Sequence, residues 1–566
     1  MSANGQVAEL LFLVPEPGAG TIWTGTGGWT DALAVADGQI VALGGEARDR
    51  RERTTEVVDL TGRTLLPAFR DGHLHPLNGG AETLDCDLVD ADDVEEVLRR
   101  LTAHAAADPD SPWVLGYGYP PELLPGGVGR AATLDTAVAD RPVALWSSDH
   151  HMVWCNSRAL EIAGITAATV DPPRGTIVRG ADGYPVGTLL EEAELLLADH
   201  LPPRGVEKEA RGLEVGLERM ATAGIVWGQD AWTTPELLTP YQRVADGGRL
   251  TADLDLAFKV EVDRWEEQVA AFQDARRDAE RAASRRATDG VPGGRVSATT
   301  VKFFVDGVIE GGTGALLEPY CAFGDQHTSG HDHGIANWEP ADLARAAAAM
   351  DAAGFQLHLH VIGDAAVRMA LDAIGSVAHN NGPADRRPVL AHTHLVHPDD
   401  LPRFRSLGIV ANFEPLWAQG NEIMRDLTVP RLGPERVGWQ YPIGSLVRGG
   451  AHVSFGSDWP VSSHVPLRGI AVAVTRRGAA GPGAETPFLP EQAITLSEAL
   501  SAYTAGTAYQ AGDEGAAGTL TVGAAADLVV TSEDVTRVPP DRLHQVEVVG
   551  TWLRGTAVHR GADLTG

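Results

Sequence analysis

Eight short apolar stretches, separated by helical and loop sequence, run through the middle of the chain, and this alternation constrains the fold most. The first precedes His73; the others lie near residues 224–228, 254–260, 300–305, 356–360, 389–392, 408–412 and 453–456. Between them, 265–286 reads as a charged helix, and 340–353 opens with proline and aspartate before running into alanines. Residues 364–374 and 496–505 are similar. Strands alternating with helices favour a parallel sheet, and eight is the strand count of a (β/α)8 barrel.

The two ends of the chain read differently. Residues 32–44 form a hairpin pattern with Asp37-Gly38 as the two-residue turn, and 57–62 continues it. Strand-like segments return at 518–523, 526–530 and 546–553. The expected architecture is therefore α/β, a distorted (β/α)8 TIM barrel over 67–517. Both termini, 1–66 and 518–566, would combine into one small β-sandwich domain. The first two barrel strands are too far apart for one helix, so about 82–205 is an insertion. It holds its own strand and helix pieces at 113–118, 141–146 and 156–163.

Composition excludes several function classes. A chain of 566 residues with 43% apolar content builds sizeable cores over roughly two to four domains. With 45 basic and 77 acidic side chains the net charge is −32, the wrong sign for nucleic acid. It gives no attraction to anionic lipid either. The three cysteines, Cys86, Cys155 and Cys321, are scattered and odd in number. That fits a reducing compartment, and a cytoplasmic location is expected. Residues 1–15 lack a signal-peptide pattern and no 18-residue apolar run exists, so no membrane span is expected. A small-molecule substrate is the expected partner, and a homo-oligomer is compatible with the sequence.

The chemistry gathers at strand ends. His73 and His75 close the first strand, and residues i and i+2 of a strand point to one side. Two imidazoles would thus face one metal ion where barrel active sites sit. The fourth strand, Val301-Lys302-Phe303-Phe304-Val305, carries a lysine inside an apolar run. On spacing alone such a lysine snorkels or pairs with an acid. The alternative is a desolvated amine that adds carbon dioxide to become a carbamate. The fifth strand repeats the His-x-His pattern with His358 and His360, the sixth gives His392 and His394, and the eighth runs into Asp458. His327, His331 and His333, near Asp332, read as a solvent-exposed loop, and Trp113, Tyr117 and Tyr119 as pocket lining or insertion core.

These residues resemble the amidohydrolase superfamily, and within it the branch holding N-substituted formamide deformylases (amidohydrolase family 3). The resemblance rests on P-x-F-x-D-x-H-x-H at 67–75, residues 149–160 and 187–191, Lys302-x-x-x-Asp306-Gly307, and His360-x-x-Gly363-Asp364. It continues through Gly456-Ser457-Asp458-Trp459-Pro460 and the closing Ala526-Asp527-Leu528. It implies a metal-dependent hydrolase. His73 and His75 would hold one ion, His360 and His392 a second, Lys302 would bridge them as a carbamate (a carboxylysine), and Asp458 would contact the first. The ligand position is separated from Gly-Asp by two residues, which selects His360 over His358. The family usually has Glu-His-Ala-Gln where this chain has Ala391-His392-Thr393-His394, so His394 stands in a glutamine's place. His151, His394 and Trp459 are the candidate substrate contacts. The expected cofactor is a divalent metal, zinc by its ligands, one or two ions per chain. The expected reaction is hydrolysis of a non-peptide carbon–nitrogen bond, an amide or N-substituted formamide. A metal-activated hydroxide would attack, with Asp458 as proton shuttle. The alternatives are a cyclic amide, lactone or ester on the same site, or a catalytically silent metal-binding regulatory protein.

Overall fold

The computed structural model describes residues 7–25, 27–89, 91–321, 332–479, 484 and 486–564. At its centre are eight strands: β1 (Phe69–Leu74), β2 (Ile225–Thr233), β3 (Asp253–Lys259), β4 (Val296–Phe304), β5 (Gln356–Val361), β6 (Val389–His392), β7 (Val410–Phe413) and β8 (His452–Phe455). They form one sheet in chain order, and every ladder in it is parallel. Their outer faces share one continuous core with the helices Val206–Thr222, Trp265–Asp289, Pro340–Ala352 and Asp364–Asn381. The chain is a distorted (β/α)8 barrel, as its strand–helix alternation predicts.

The barrel closes at its functional end. The His73 carbonyl of β1 accepts hydrogen bonds from the backbone N–H of Ser457 (3.2 Å) and Asp458 (2.7 Å), just past β8. Gly456 permits that approach, because a Cβ there would sit 2.8 Å from the His73 nitrogen. Asp71 fastens the same seam: its Oδ1 accepts from the backbone N–H of His73 (3.1 Å) and of Ser457 (3.0 Å).

Two sheets flank the barrel at the chain ends. One uses only the first 59 residues, in the order Gln39–Leu43, Ala32–Ala36, Leu10–Leu13, Glu56–Asp59. The other mixes the termini: Leu528–Thr531 pairs antiparallel with Thr64–Pro67 on one side and with Val548–Leu553 on the other. Phe12, Leu33 and Val35 from the first sheet pack with Leu528, Val530 and Trp552 from the second. The two sheets are thus a β-sandwich with an apolar filling. Asp37 and Gly38 both have positive φ (49° and 72°), as a tight hairpin turn of this type requires. Residues 518–523, expected as a strand, form no ladder. Leu520 N–H bonds Thr24 O and Gly523 N–H bonds Ile40 O, so the segment bridges two sheets instead of joining one. The expected helix at 496–505 is two, Leu496–Ala502 and Ala505–Ala511, broken at Thr504 (φ −130°, ψ −88°).

Deleting residues 518–566 removes the partner of Thr64–Pro67 and bares Leu65 and Leu66, both fully buried. An unpaired apolar edge associates with other chains. The truncation is expected to aggregate on size-exclusion chromatography; a monodisperse, active product would contradict this.

The insertion builds a six-stranded sheet of its own, ordered Gly175–Arg179, Pro185–Glu191, Met152–Cys155, Val143–Ser147, Val114–Tyr119, Cys86–Asp87. Separate apolar clusters cover it. Among the described residues no helix is long and apolar enough to cross a membrane.

Candidate active site

The strand-end residues converge. One donor atom each from His73, His392 and Asp458 lies within 4.8 Å of the others, and all three residues are buried. Asp458 Oδ1 is 3.3 Å from His73 Nε2 and 2.9 Å from His75 Nε2. Lys302 Nζ, wholly buried, is 3.2 Å from His73 Nε2. The His360 ring centroid lies 4.5 Å from that of His392. His392, Thr393 and Asp458 have φ of 70°, 45° and 52°, a left-handed backbone that few non-glycine residues adopt. It ends β6 abruptly and turns the loop after β8 inward, which aims His392 and Asp458 at the same point.

Donor and acceptor chemistry fixes the imidazole tautomers. The Gly72 carbonyl only accepts, so the Gln510 atom 2.8 Å from it is the amide nitrogen. That nitrogen also donates to Gln229 at 2.7 Å, whose facing atom is therefore Oε1. His358 Nδ1 is 2.7 Å from the same Oε1 and must carry its proton. His358 Nε2 then accepts from His73 Nδ1 at 2.9 Å, leaving His73 Nε2 with a free lone pair facing Lys302 and Asp458. His392 reaches the same state more directly, since its Nδ1 donates to Glu414 Oε2 at 2.9 Å. His360 donates Nε2–H to the Gly307 carbonyl (3.3 Å), which frees Nδ1. Lone pairs and a carboxylate facing one another repel unless a cation lies between them. His75 Nδ1 is buried without a hydrogen-bond partner, 3.7 Å from Asp230 Oδ1. The set fits a divalent metal.

Burial and charge set the protonation states. Burial lowers Lys302 to about 7 against the pull of Asp458, Glu414 and Asp230. Burial lowers His75, yet Asp230 and Asp458 on either side carry it up to about 9. Burial also raises Asp458, but the His73 and His75 imidazoles beside it outweigh that and hold the carboxyl well below the usual range. Asp306 is raised to about 8 by burial, despite accepting from the N–H groups of Gly363, Ile362 and Ala315.

These groups floor a cavity of about 760 Å3 between the barrel mouth and the insertion. His151 lines it; its Nδ1 is 2.9 Å from Glu191 Oε2, and its ring centroid is 5.8 Å from that of His360. His394 also lines it, tied by Gln440 (2.8 Å) and stacked on Tyr441 at 4.2 Å. Trp459 does not: it turns under the helix Pro76–Glu82, where Gly79 makes room for its ring. His333 Nδ1 is held by the Leu316 carbonyl (3.0 Å); His327 and His331 lie outside the described residues. Sequence reading gave no role to Glu414, Asp230, Gln229 or Glu191. The signal for two of them was present, since Gln229-Asp230 sits within the apolar run of β2.

A closed parallel barrel with such donors at the carboxyl ends of its strands defines a metal-dependent hydrolase. The profile of the amidohydrolase family matches residues 56–559, and the chain belongs to that family. It is 29% identical over 543 residues to Protein LONG AFTER FAR-RED 3 of Arabidopsis thaliana, covering 93% of this chain and 88% of that protein. To the N-substituted formamide deformylase of Arthrobacter pascens it is 27% identical over 545 residues, 93% of this chain and 94% of that protein. Its fold resembles the crystal structure of an uncharacterized metal-dependent hydrolase from Pyrococcus horikoshii OT3. The TM-score is 0.69 at 22% identity, over 94% of this chain and 99% of that one.

Proposed function

We propose that the enzyme hydrolyses a non-peptide carbon–nitrogen bond in a small molecule, an amide or N-substituted formamide. The observation that carries this reading is the meeting of His73, His392 and Asp458 donors beside the buried Lys302, on the floor of a roomy cavity. The likeness to a formamide deformylase over nearly the whole chain supports it.

His73 and His75 would hold one ion and His360 and His392 another, with Lys302 between them and Asp458 at the first. Zinc suits these nitrogen and oxygen donors, as one or two ions. When bound, the metal supplies Lewis acidity toward the carbonyl and lowers the pKa of water. The chain's own groups do the rest. Asp458 takes the proton of the attacking water on its carboxylate and returns it to the leaving amine. Glu414 and the His358–Gln229–Gln510 chain hold His392 and His73 in the tautomers that present lone pairs. His151 and His394, which both line the cavity, would face the substrate.

The test is amine release from a panel of formamides, N-acyl amines and cyclic amides, with metal content measured in parallel. His73→Ala is expected to stay folded and to lose bound metal. Parental metal content and turnover in that variant, or cleavage of esters with no amine released from any amide, would overturn the reading.

The tautomer chain makes its own prediction. Gln229→Leu keeps the volume and removes the acceptor for His358 Nδ1. Metal retention against a chelator should weaken by about 10- to 100-fold, the usual effect of losing a group that orients a ligand. Unchanged retention would remove Gln229 from that role.

A further inference from the structure

Nearly every charged group on the cavity wall is neutralised or engaged by a neighbour. Arg174 pairs with Glu192 (2.7 Å) and Asp263 (3.1 Å), and Lys259 with Glu261 (3.2 Å). Glu191 is held by His151 and Thr313, and Glu194 accepts from Trp146 Nε1. Arg204 is the exception. Its guanidinium lines the cavity, yet among the described residues no carboxylate lies within 4 Å of it, and its sole hydrogen bond runs from Nη2 to the Tyr117 hydroxyl at 2.6 Å. Tyr117 is only 7% exposed and fixed by stacking on Trp146, with centroids 4.9 Å apart and planes at 13°. Its hydroxyl accepts from Arg204, and its own proton has no acceptor among the described residues. Glu82, on the same side, makes no direct ion pair with Arg204. Burial raises its carboxyl to about 8 against the charge of Arg204, and its ion-pair contact is with His150 Nε2 at 3.4 Å.

We propose that Arg204 and Tyr117 form a carboxylate-binding subsite, so that the preferred substrate is an amide bearing a carboxylate away from the scissile bond. A guanidinium with free N–H groups and a phenol with a free O–H make a donor-only pair, and a planar carboxylate is its natural complement. An N-acyl amino acid and a half-amide of a dicarboxylic acid are amides of this kind.

The subsite rests on the hydrolase reading only for which bond is cut, so binding tests it separately. Calorimetry with the full-length protein would compare N-acetylphenylalanine with its uncharged isostere N-acetylphenylalaninamide. The parent should bind the carboxylate at least tenfold more tightly. Arg204→Met should abolish the preference, Arg204→Lys should keep part of it, and Tyr117→Phe should reduce it several-fold. Equal binding of the two ligands by the parent, or a preference that survives in Arg204→Met, overturns the subsite, whichever amides are hydrolysed. If the preference depends on Arg204 but no amide is cleaved, the subsite stands and the hydrolase reading fails. Arg204→Lys keeps the question decidable should Arg204→Met not fold.

Discussion

Asp458→Asn is expected to keep the fold and most of the metal and to lose about 10²- to 10⁴-fold in kcat/KM, the usual worth of a positioned general acid–base. The fold should survive because what places Asp458 is backbone. Its N–H bonds the His73 carbonyl at 2.7 Å, and its φ of 52° is one that asparagine adopts about as readily as aspartate. The side-chain oxygen of asparagine still reaches His75 Nε2, 2.9 Å away in the parent. What changes is basicity. His73 and His75 hold the Asp458 carboxyl well below the usual range, so at neutral pH it is an ionised acceptor with a strong hydrogen-bonding set. An amide has no proton affinity in that range and cannot relay a proton from water to the amine. Kinetics on variant protein with its metal content and circular dichroism matched to the parent would check this. Near-parental turnover would remove Asp458 from the mechanism.

Much of this site was legible because strand periodicity is local. A two-residue repeat at a strand end places His73 with His75 and His358 with His360, and it needs no knowledge of neighbours. What periodicity does not carry is the partner. Glu414 lies on β7's far side in sequence from His392, 22 positions away, and Gln510 meets Gln229 across 281. Only barrel closure brings them together. The strand-end rule also fails where the backbone turns left-handed. After His392 and Thr393, both with positive φ, His394 no longer continues the face of β6 and goes instead to Gln440 and Tyr441. Trp459 follows Asp458 through the same kind of turn and points under a helix, away from the cavity its neighbour faces. In the β-sandwich, Gly518–Gly523 has a strand's composition, but single hydrogen bonds to Thr24 and Ile40 hold it in a bridge. Fold class follows from pattern; the residues that tune ligands follow from long-range contact.

Lys302→Ala is expected to lose one equivalent of metal and most activity, with partial restoration by a small added carboxylic acid. The argument is electrostatic. Lys302 is fully buried, its Nζ sits 3.2 Å from His73 Nε2 and 4.9 Å from the Phe304 ring, and no carboxylate among the described residues lies within 4 Å of it. An ammonium ion in that position repels any cation held by the neighbouring histidines. Burial lowers the group to about 7, so near neutrality a large fraction is free amine, which is nucleophilic. Addition of carbon dioxide to Nζ forms the N–C bond of a carbamate and releases one proton. An ammonium is thereby exchanged for an anion with two oxygens. The sign of the pH effect follows. Above about 7 the amine dominates and modification is favoured; as pH falls through that value the ammonium takes over and the modification is lost. Metal-stripped protein should therefore regain its second equivalent and its activity better with bicarbonate than without, and better at pH 8 than at pH 6. Intact-protein mass spectrometry under mild conditions should show the added mass of carbon dioxide in the parent and not in Lys302→Ala. One metal per chain, an unmodified Lys302 and no bicarbonate effect would reduce the site to a single ion, with the lysine left as an amine facing the substrate.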